Sequence, residues 1–310
     1  MIILRQMIIL FMLILIGVIL RKKKIFTDEG SRVVSAIVVN VANPCLILSA
    51  SINKENVVEG RALFFVAGLA LLVYVFLVII SFVVVRILRI EENSSGTYKV
   101  MTVFSNIGFM GFPLLSAVYG DEALLYESFF LIPYNVLIYT WGIRAMKTKA
   151  SVDTTDANSG IQWSKIFNIG VVACIVTIII YLSRIRVPDF IESTVSHLSN
   201  LTAPLSMLVI GDSIAKMDFK KLLTDKKLIM FAIIKQLMIP ILGVFIAKSF
   251  GLEYIMVAVV LVMLSTPVGS MTAMLAQQYD GDYELASKGV ALTTVMSVAT
   301  IPIVSMIVGM

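Results

Sequence analysis

Ser105-Asn106-Ile107-Gly108-Phe109-Met110-Gly111-Phe112-Pro113 lies in the middle of an otherwise apolar run at 100–119. Proline removes a backbone donor and clashes with the preceding turn, and the two glycines lower the cost of unwinding. In lipid, the freed N–H and C=O groups survive only where protein or a watery cavity satisfies them. A second run, 254–277, carries Ser265-Thr266-Pro267-Val268-Gly269-Ser270 at its centre. Two breaks near mid-span would place their free backbone groups together at the bilayer midplane, as in carriers built from broken helices. The bland alternative is a pair of proline-kinked helices.

The surrounding composition supports a membrane setting for both. The chain has 310 residues, of which 59% are hydrophobic and 15% charged, with a mean hydropathy of +0.96. Soluble domains carry about 25% charged residues, so this balance excludes a soluble enzyme, a disordered regulator and a nucleic-acid-binding domain. A spanning helix needs about 20 apolar residues. Ten runs meet that measure: 3–20, 33–52, 63–85, 100–119 and 123–143, then 166–182, 193–215, 228–250, 254–277 and 285–308. Arg5 precedes the first run, but no small-residue cleavage site follows it. Arg21-Lys22-Lys23-Lys24 closes it, so it reads as a span rather than a signal peptide. Cys45 and Cys174 both lie in apolar runs and imply no disulfide framework. Of the 25 Lys and Arg residues, counting those near run ends with the adjoining loop, 18 fall to one set of alternate loops and six to the other; Lys235 alone lies deeper within a span. The positive-inside rule then puts both termini outside the cell membrane.

Ten spans divide into two sets of five, and an odd set forces the second to insert upside down. The expected organisation is a first five-helix repeat at 1–146, a cytoplasmic linker at 147–162 and a second, inverted repeat at 163–310. The prolines agree in part. Asn40-Val41-Ala42-Asn43-Pro44 and Asn200-Leu201-Thr202-Ala203-Pro204 share the pattern Asn-x-x-x-Pro at an offset of 160, and Pro113 and Pro267 are 154 apart. Pro133, Pro240 and Pro302 have no such partners.

A helix that restarts at the midplane presents unpaired N–H groups and about half a positive charge, which is an anion site. Pro113 and Pro267 suit first-turn positions. Ser265 or Thr266 would cap the second restart, and Gly108, Gly111 and Gly269 allow close approach of a ligand. Asn106 and Ser270 complete the set at the two breaks, and Asn40 or Asn43 would contribute from a neighbouring span. Asn135, flanked by Tyr134 and Tyr139, faces either the breaks or a helix interface.

Intramembrane charges are functional candidates by default. Lys235 would attract an anion, pair with a carboxylate, or snorkel along its stem to the cytoplasm. Asp212 is either solvated at a span end or paired with Lys235. Glu127 reads as solvated at the outer mouth. These three are the candidates for ion coupling or charge balance. Thr293, Ser297 and Thr300 share one face of the last span, either lining a pathway or bonding their own helix carbonyls. His197 has no assigned role.

Several segments resemble the auxin efflux carrier family, which comprises plant carriers and shorter bacterial relatives. They are Lys24-Ile25-Phe26-Thr27, the stretch from Asn106 through Met110-Gly111-Phe112-Pro113-Leu114-Leu115 to Tyr119-Gly120, and Ala276-Gln277-Gln278-Tyr279 with Gly289-Val290. The resemblance covers essentially the whole chain. It implies an all-α polytopic membrane protein of ten helices in two inverted repeats, like bile acid symporters and sodium–proton antiporters. Spans 4 and 9 would cross at their unwound centres. Spans 1, 2, 6 and 7 would form a scaffold, with spans 3–5 and 8–10 as the moving domain of an elevator, in a homodimer. The substrates implied are small organic anions such as malonate, malate or auxin-like acids. There are departures: the long cytoplasmic loop of plant members is absent, span 3 lacks their Asp/Lys pair, and Asn168 is followed by Ile169 where bacterial relatives often show proline.

The chain contains no His-Glu-x-x-His, no Gly-x-Ser-x-Gly with a partner histidine and no phosphate-binding Gly-x-x-x-x-Gly-Lys-[Ser/Thr]. An enzyme, an ATP-driven pump and a metal site are therefore not expected. The expectation is a secondary carrier in contact with lipid, using no nucleic acid or cofactor and coupled to H+, to Na+ or to neither. A passive anion channel or a receptor stands as the alternative.

Overall fold

The computed structural model describes residues 2–52, 60–146, 166–216, 224–279 and 281–310. Within them the helices are α1 (Ile2–Lys22), α2 (Asp28–Ser49), α3 (Gly60–Ile87), α4 (Glu92–Val103), α5 (Ile107–Tyr119) and α6 (Glu122–Met146). They continue as α7 (Ile169–Ser183), α8 (Asp189–Ala215), α9 (Lys226–Ser249), α10 (Tyr254–Ser265), α11 (Ser270–Gln278) and α12 (Tyr283–Ile307). The linker expected at 147–162 lies outside the described residues.

Local chemistry explains several boundaries. The Thr27 side chain caps α2 by accepting from Gly30 N at 3.0 Å, and Asp28 and Glu29 occupy its first turn, where the helix dipole favours them. Asp225 caps α9 through Leu228 N, and Asp282 caps α12 through Leu285 N. On α3, Phe64 is 83% exposed and Leu72 66%. Side chains of that size pointing away from the protein suit a hydrocarbon solvent rather than water.

The ten-span expectation is corrected here. Among the described residues, seven helices are long and apolar enough to cross a membrane: α1, α2, α3, α6, α8, α9 and α12. The runs at 100–119, 166–182 and 254–277 do not form such helices. The first and third are split by the Ser105 and Pro267 breaks, leaving α5 and α10 as short apolar pieces, and α7 has only 15 residues. At 1.5 Å per residue, α7 is about 22 Å long, short of a hydrocarbon core of about 30 Å. The described helices therefore form a polytopic all-α membrane protein with seven full-length spans, and not a clear pair of inverted five-helix repeats.

Four helices widen locally into π-turns, at Val38–Ala42, Ile107–Gly111, Ile138–Gly142 and Ile234–Met238. Three of these are followed at the second position by proline: Pro44, Pro113 and Pro240. The proline ring crowds the carbonyl four residues back and offers it no donor. A wider turn moves that carbonyl aside while the neighbouring N–H groups still pair, as Asn43 N does with Val38 O and Phe112 N with Ile107 O.

Packing is closest where glycines face each other. α1 runs along α8, and a Cβ added at Gly17 would collide with Leu208 O, while one at Gly211 would collide with Ile14 O. Small residues permit this backbone approach, which in lipid supplies dispersion energy in place of a hydrophobic drive. An ionic cluster ties the same region together. Buried Asp212 meets Lys216 at 2.7 Å and Arg21 at 3.6 Å, and those two cations also hold Asp28 of α2. Gly211→Val should therefore cost about 1–3 kcal/mol by overpacking and lower the melting temperature in detergent. Gly68→Val, where an added Cβ meets nothing, should leave it unchanged.

Candidate functional site

The two breaks find each other. α4 ends at Val103 and α10 at Ser265, and the chain then runs extended on both sides. Ser105 pairs with Val268 as an antiparallel bridge. Asn106 N donates to Pro267 O at 2.7 Å, and Gly269 N donates to Phe104 O at 2.9 Å. Gly269 eases this approach, since an added Cβ would stand a tight 3.0 Å from Ser105 O. A third element closes the strand edge: Val268 N donates to Thr293 Oγ1 of α12 at 3.0 Å, while Thr293 Oγ1 donates to Gly289 O at 2.7 Å.

Lys235 stands at the junction. Its ammonium is fully buried and donates to Ser105 Oγ at 2.7 Å and to Leu264 O at 3.5 Å. Leu264 O belongs to the last turn of α10, the end of a helix dipole that attracts a cation. Snorkelling to the surface is excluded by that burial. Pairing with Asp212 is corrected as well, because Asp212 is held by Arg21 and Lys216. Among the described residues no carboxylate pairs with Lys235. Next to it, buried Gln236 donates to Thr293 O at 3.2 Å and accepts from Thr300 Oγ1 at 3.2 Å. Gln236 was not among the sequence candidates, although an amide within an apolar span was a legible signal.

The restarts differ from each other. On the first side Asn106 is the cap, its Oδ1 accepting from Phe109 N at 3.3 Å, and Pro113 lies in the first α-helical turn after the π-turn. Asn43 of α2 reaches across to donate to Gly108 O at 2.9 Å, and its own Oδ1 is buried without a partner. On the second side α11 begins at Ser270 with Gly269 as its cap and no side-chain cap. The expected capping by Ser265 or Thr266 is therefore corrected. Thr266 Oγ1 bonds Met263 O, Ser265 Oγ is buried without a partner, and Pro267 sits in the extended stretch before the helix.

Other candidates lie elsewhere. Asn40 is exposed and bonds Ala36 O of its own helix, because the π-turn at 38–42 rotates it away from the breaks. Asn135 bonds Leu131 O and accepts from Asn168 Nδ2 at 2.5 Å, which makes it a contact between α6 and α7. Glu127 is not solvated at a mouth but fully buried against Gly111. Thr293, Ser297 and Thr300 each bond a carbonyl of their own helix.

The profile of a family described as membrane transport protein matches residues 2–305. The chain belongs to that family. It is the family of auxin efflux carriers that the sequence resembles, and membership makes this carrier-family protein a membrane transport protein rather than an enzyme. It is similar to an uncharacterized transporter of Methanothermobacter thermautotrophicus, 22% identical over 301 residues and covering 95% of each chain. It is also similar to an uncharacterized transporter of Methanocaldococcus jannaschii, 23% identical over 301 residues and covering 94% of each. Among the described residues no cluster of His, Cys, Asp and Glu could hold a metal ion.

Hydrogen bonds to charged groups contribute about 1.5–3 kcal/mol. Ser105→Ala should destabilise the protein by that amount in equilibrium unfolding, because Lys235 loses its shortest partner. Asn40→Ala should stay within about 0.5 kcal/mol of the parent.

Proposed function

We propose that this membrane transport protein is a secondary carrier of small organic anions, with carboxylates such as malonate, malate or auxin-like acids as substrates, working by elevator-type alternating access. The observation that carries the reading is a fully buried lysine with no carboxylate partner among the described residues, set where two helix breaks meet. Burying an ammonium costs several kcal/mol. Two neutral hydrogen bonds and a helix C-terminus offset only part of that cost, so the surroundings favour an incoming negative charge.

The donors for a carboxylate are at hand. The restarts at Ile107 and Ser270 present N-terminal N–H groups. Asn106 spends its oxygen on Phe109 N, which leaves its Nδ2 for a ligand. Gly108, Gly111, Gly269 and Ser270 line the same segments, and Asn43 ties α2 to them. Pro113 and Pro267 hold the chain at the breaks.

The packing supports a division into two bodies. α1 lies along α8, and α2 packs against both α7 and α8. These four would be the scaffold, and the helices bearing the breaks would move against them. The reading further takes the protein as a homodimer in the cell membrane, with both termini outside by the loop charge bias.

A thermal-shift series on purified protein tests the ligand class. A binder at 100 times its dissociation constant adds about 2.7 kcal/mol of apparent stability, so malonate, malate or indole-3-acetate should raise the melting temperature in a concentration-dependent way. Asn106→Ala should lose about 1–3 kcal/mol of anion affinity while folding normally. An undiminished shift in well-folded Asn106→Ala and Ser270→Ala would move the site away from the breaks. For the motion, a cross-link between cysteines placed at Ser206 of α8 and Gly108 should stop transport. Full activity of the cross-linked protein would sink the two-body picture.

A further inference from the structure

Glu127, like Lys235, is an ionisable group inside the membrane without an oppositely charged partner among the described residues. It lies in α6, fully buried, and neither carboxyl oxygen has a hydrogen-bond partner. Room for it is made by Gly111, where an added Cβ would stand 2.5 Å from Glu127 Oε1. The carboxyl thus lies directly against the helix that restarts after the first break.

Its surroundings come from several elements, and among the described residues no cation reaches the carboxyl. α3, packed on α6, brings the buried Tyr74 phenol, and α7, also packed on α6, brings the buried Cys174 thiol. The remaining titratable side chains described on the packed elements are Tyr181 of α7, Tyr119 of α5, Asp28, Glu29, Arg32 and Cys45 of α2, Tyr254 of α10 and, on α6 itself, Glu122, Tyr126, Tyr134, Tyr139 and Arg144, the last seventeen positions from Glu127. Arg86 of α3 stands twelve positions from Tyr74, about 18 Å along the helix. Tyr74 Oη and Thr177 Oγ1, the latter one turn from Cys174, are likewise buried without partners. An ionised carboxylate in such a place would be uncompensated, whereas the neutral acid carries no such penalty.

We propose that Glu127 is the proton-binding site of the transport cycle, so that the anion moves together with a proton. The inference rests on the anion-carrier reading above and adds its coupling ion. In the conformation described, the carboxyl carries its proton and slides against α7 as a neutral group. Release requires a conformation in which α5 and α6 part from α7 and water reaches the carboxyl. The proton passes from water to a Glu127 oxygen and back to water on the other side, with no bond in the substrate broken. Lys235 stands at the breaks for the anion, so the two groups divide the work.

Two measurements test this, on wild type and on Glu127→Gln, which keeps the size of the neutral acid. The first is the infrared spectrum of purified protein at neutral pH. The carbonyl band of a protonated, weakly hydrogen-bonded carboxylic acid should be present in wild type and lost in the variant. Its absence from wild type would overturn the inference whether or not any substrate is known. The second uses proteoliposomes with the membrane potential clamped at zero and radiolabelled malonate, malate and indole-3-acetate as probes, with uptake by protein-free vesicles subtracted because neutral acid crosses lipid unaided. With one proton per anion, one pH unit should concentrate a substrate about tenfold in wild type. Glu127→Gln should lose that accumulation, falling to a ratio near one, while still exchanging labelled for unlabelled substrate. Accumulation by the variant equal to wild type, or accumulation driven by a sodium gradient in place of the proton gradient, would overturn the proposal and leave the carrier reading standing. Entry of none of the three acids into wild-type vesicles would remove the carrier reading and the coupling with it.

Discussion

Two backbone hydrogen bonds, Asn106 N to Pro267 O and Gly269 N to Phe104 O, hold the interior of this protein together. Each break on its own would leave extended backbone in an apolar environment, where an unsatisfied polar group costs several kcal/mol. Together they form the smallest possible antiparallel pair, and each break supplies what the other lacks. The remaining edge is closed by Thr293 of α12. Thr293 in turn offers its carbonyl to Gln236, and Gln236 lies beside Lys235, whose ammonium returns to Ser105. The network therefore closes on itself through α9 and α12. Loss of any one member exposes the others, as expected of polar groups that polarise one another at low dielectric.

Charge is distributed with the same economy. Around Asp212, four charged groups from α1, α2 and α8 and the turn after it neutralise one another near helix ends. Deeper in the molecule stand Lys235 and Glu127, both fully buried and neither in an ion pair among the described residues. They are on different helices and face different segments, Ser105 for the lysine and Gly111 for the acid. A protein that only had to be stable would gain from replacing both with apolar side chains of similar volume. Their presence in the interior is therefore a cost to stability that the proposed carrier cycle would explain.

Much of this was legible in the residues. The apolar runs, their polar connections and the two proline-glycine interruptions announce a helical membrane protein with broken segments, because lipid forbids other solutions for the backbone. Asn106 at a restart follows from the same reasoning, whereas Gly269, expected to admit a ligand, instead admits the backbone of the other break. The number of full spans did not follow. Apolar length counts 100–119, 166–182 and 254–277 as full spans, whereas in the fold the two breaks leave only short apolar helices in the first and third, and α7 stops at 15 residues. Asn40 and Asn43 are equally polar in sequence, yet the π-turn ahead of Pro44 turns one outward and sends the other to Gly108.

The membrane class, the places where helices must break and the residue types available there are local properties, set by hydropathy and backbone chemistry, and the sequence alone determined them. Partnership is not local. Lys235 lies 130 positions from Ser105, Gln236 lies 64 from Thr300, and Glu127 meets Gly111 only because α6 folds back on α5. Which buried polar group finds a partner, and which is left without one, depends on how helices distant in sequence pack. The tertiary structure decided that, and with it whether the Glu127 carboxyl is solvated or buried.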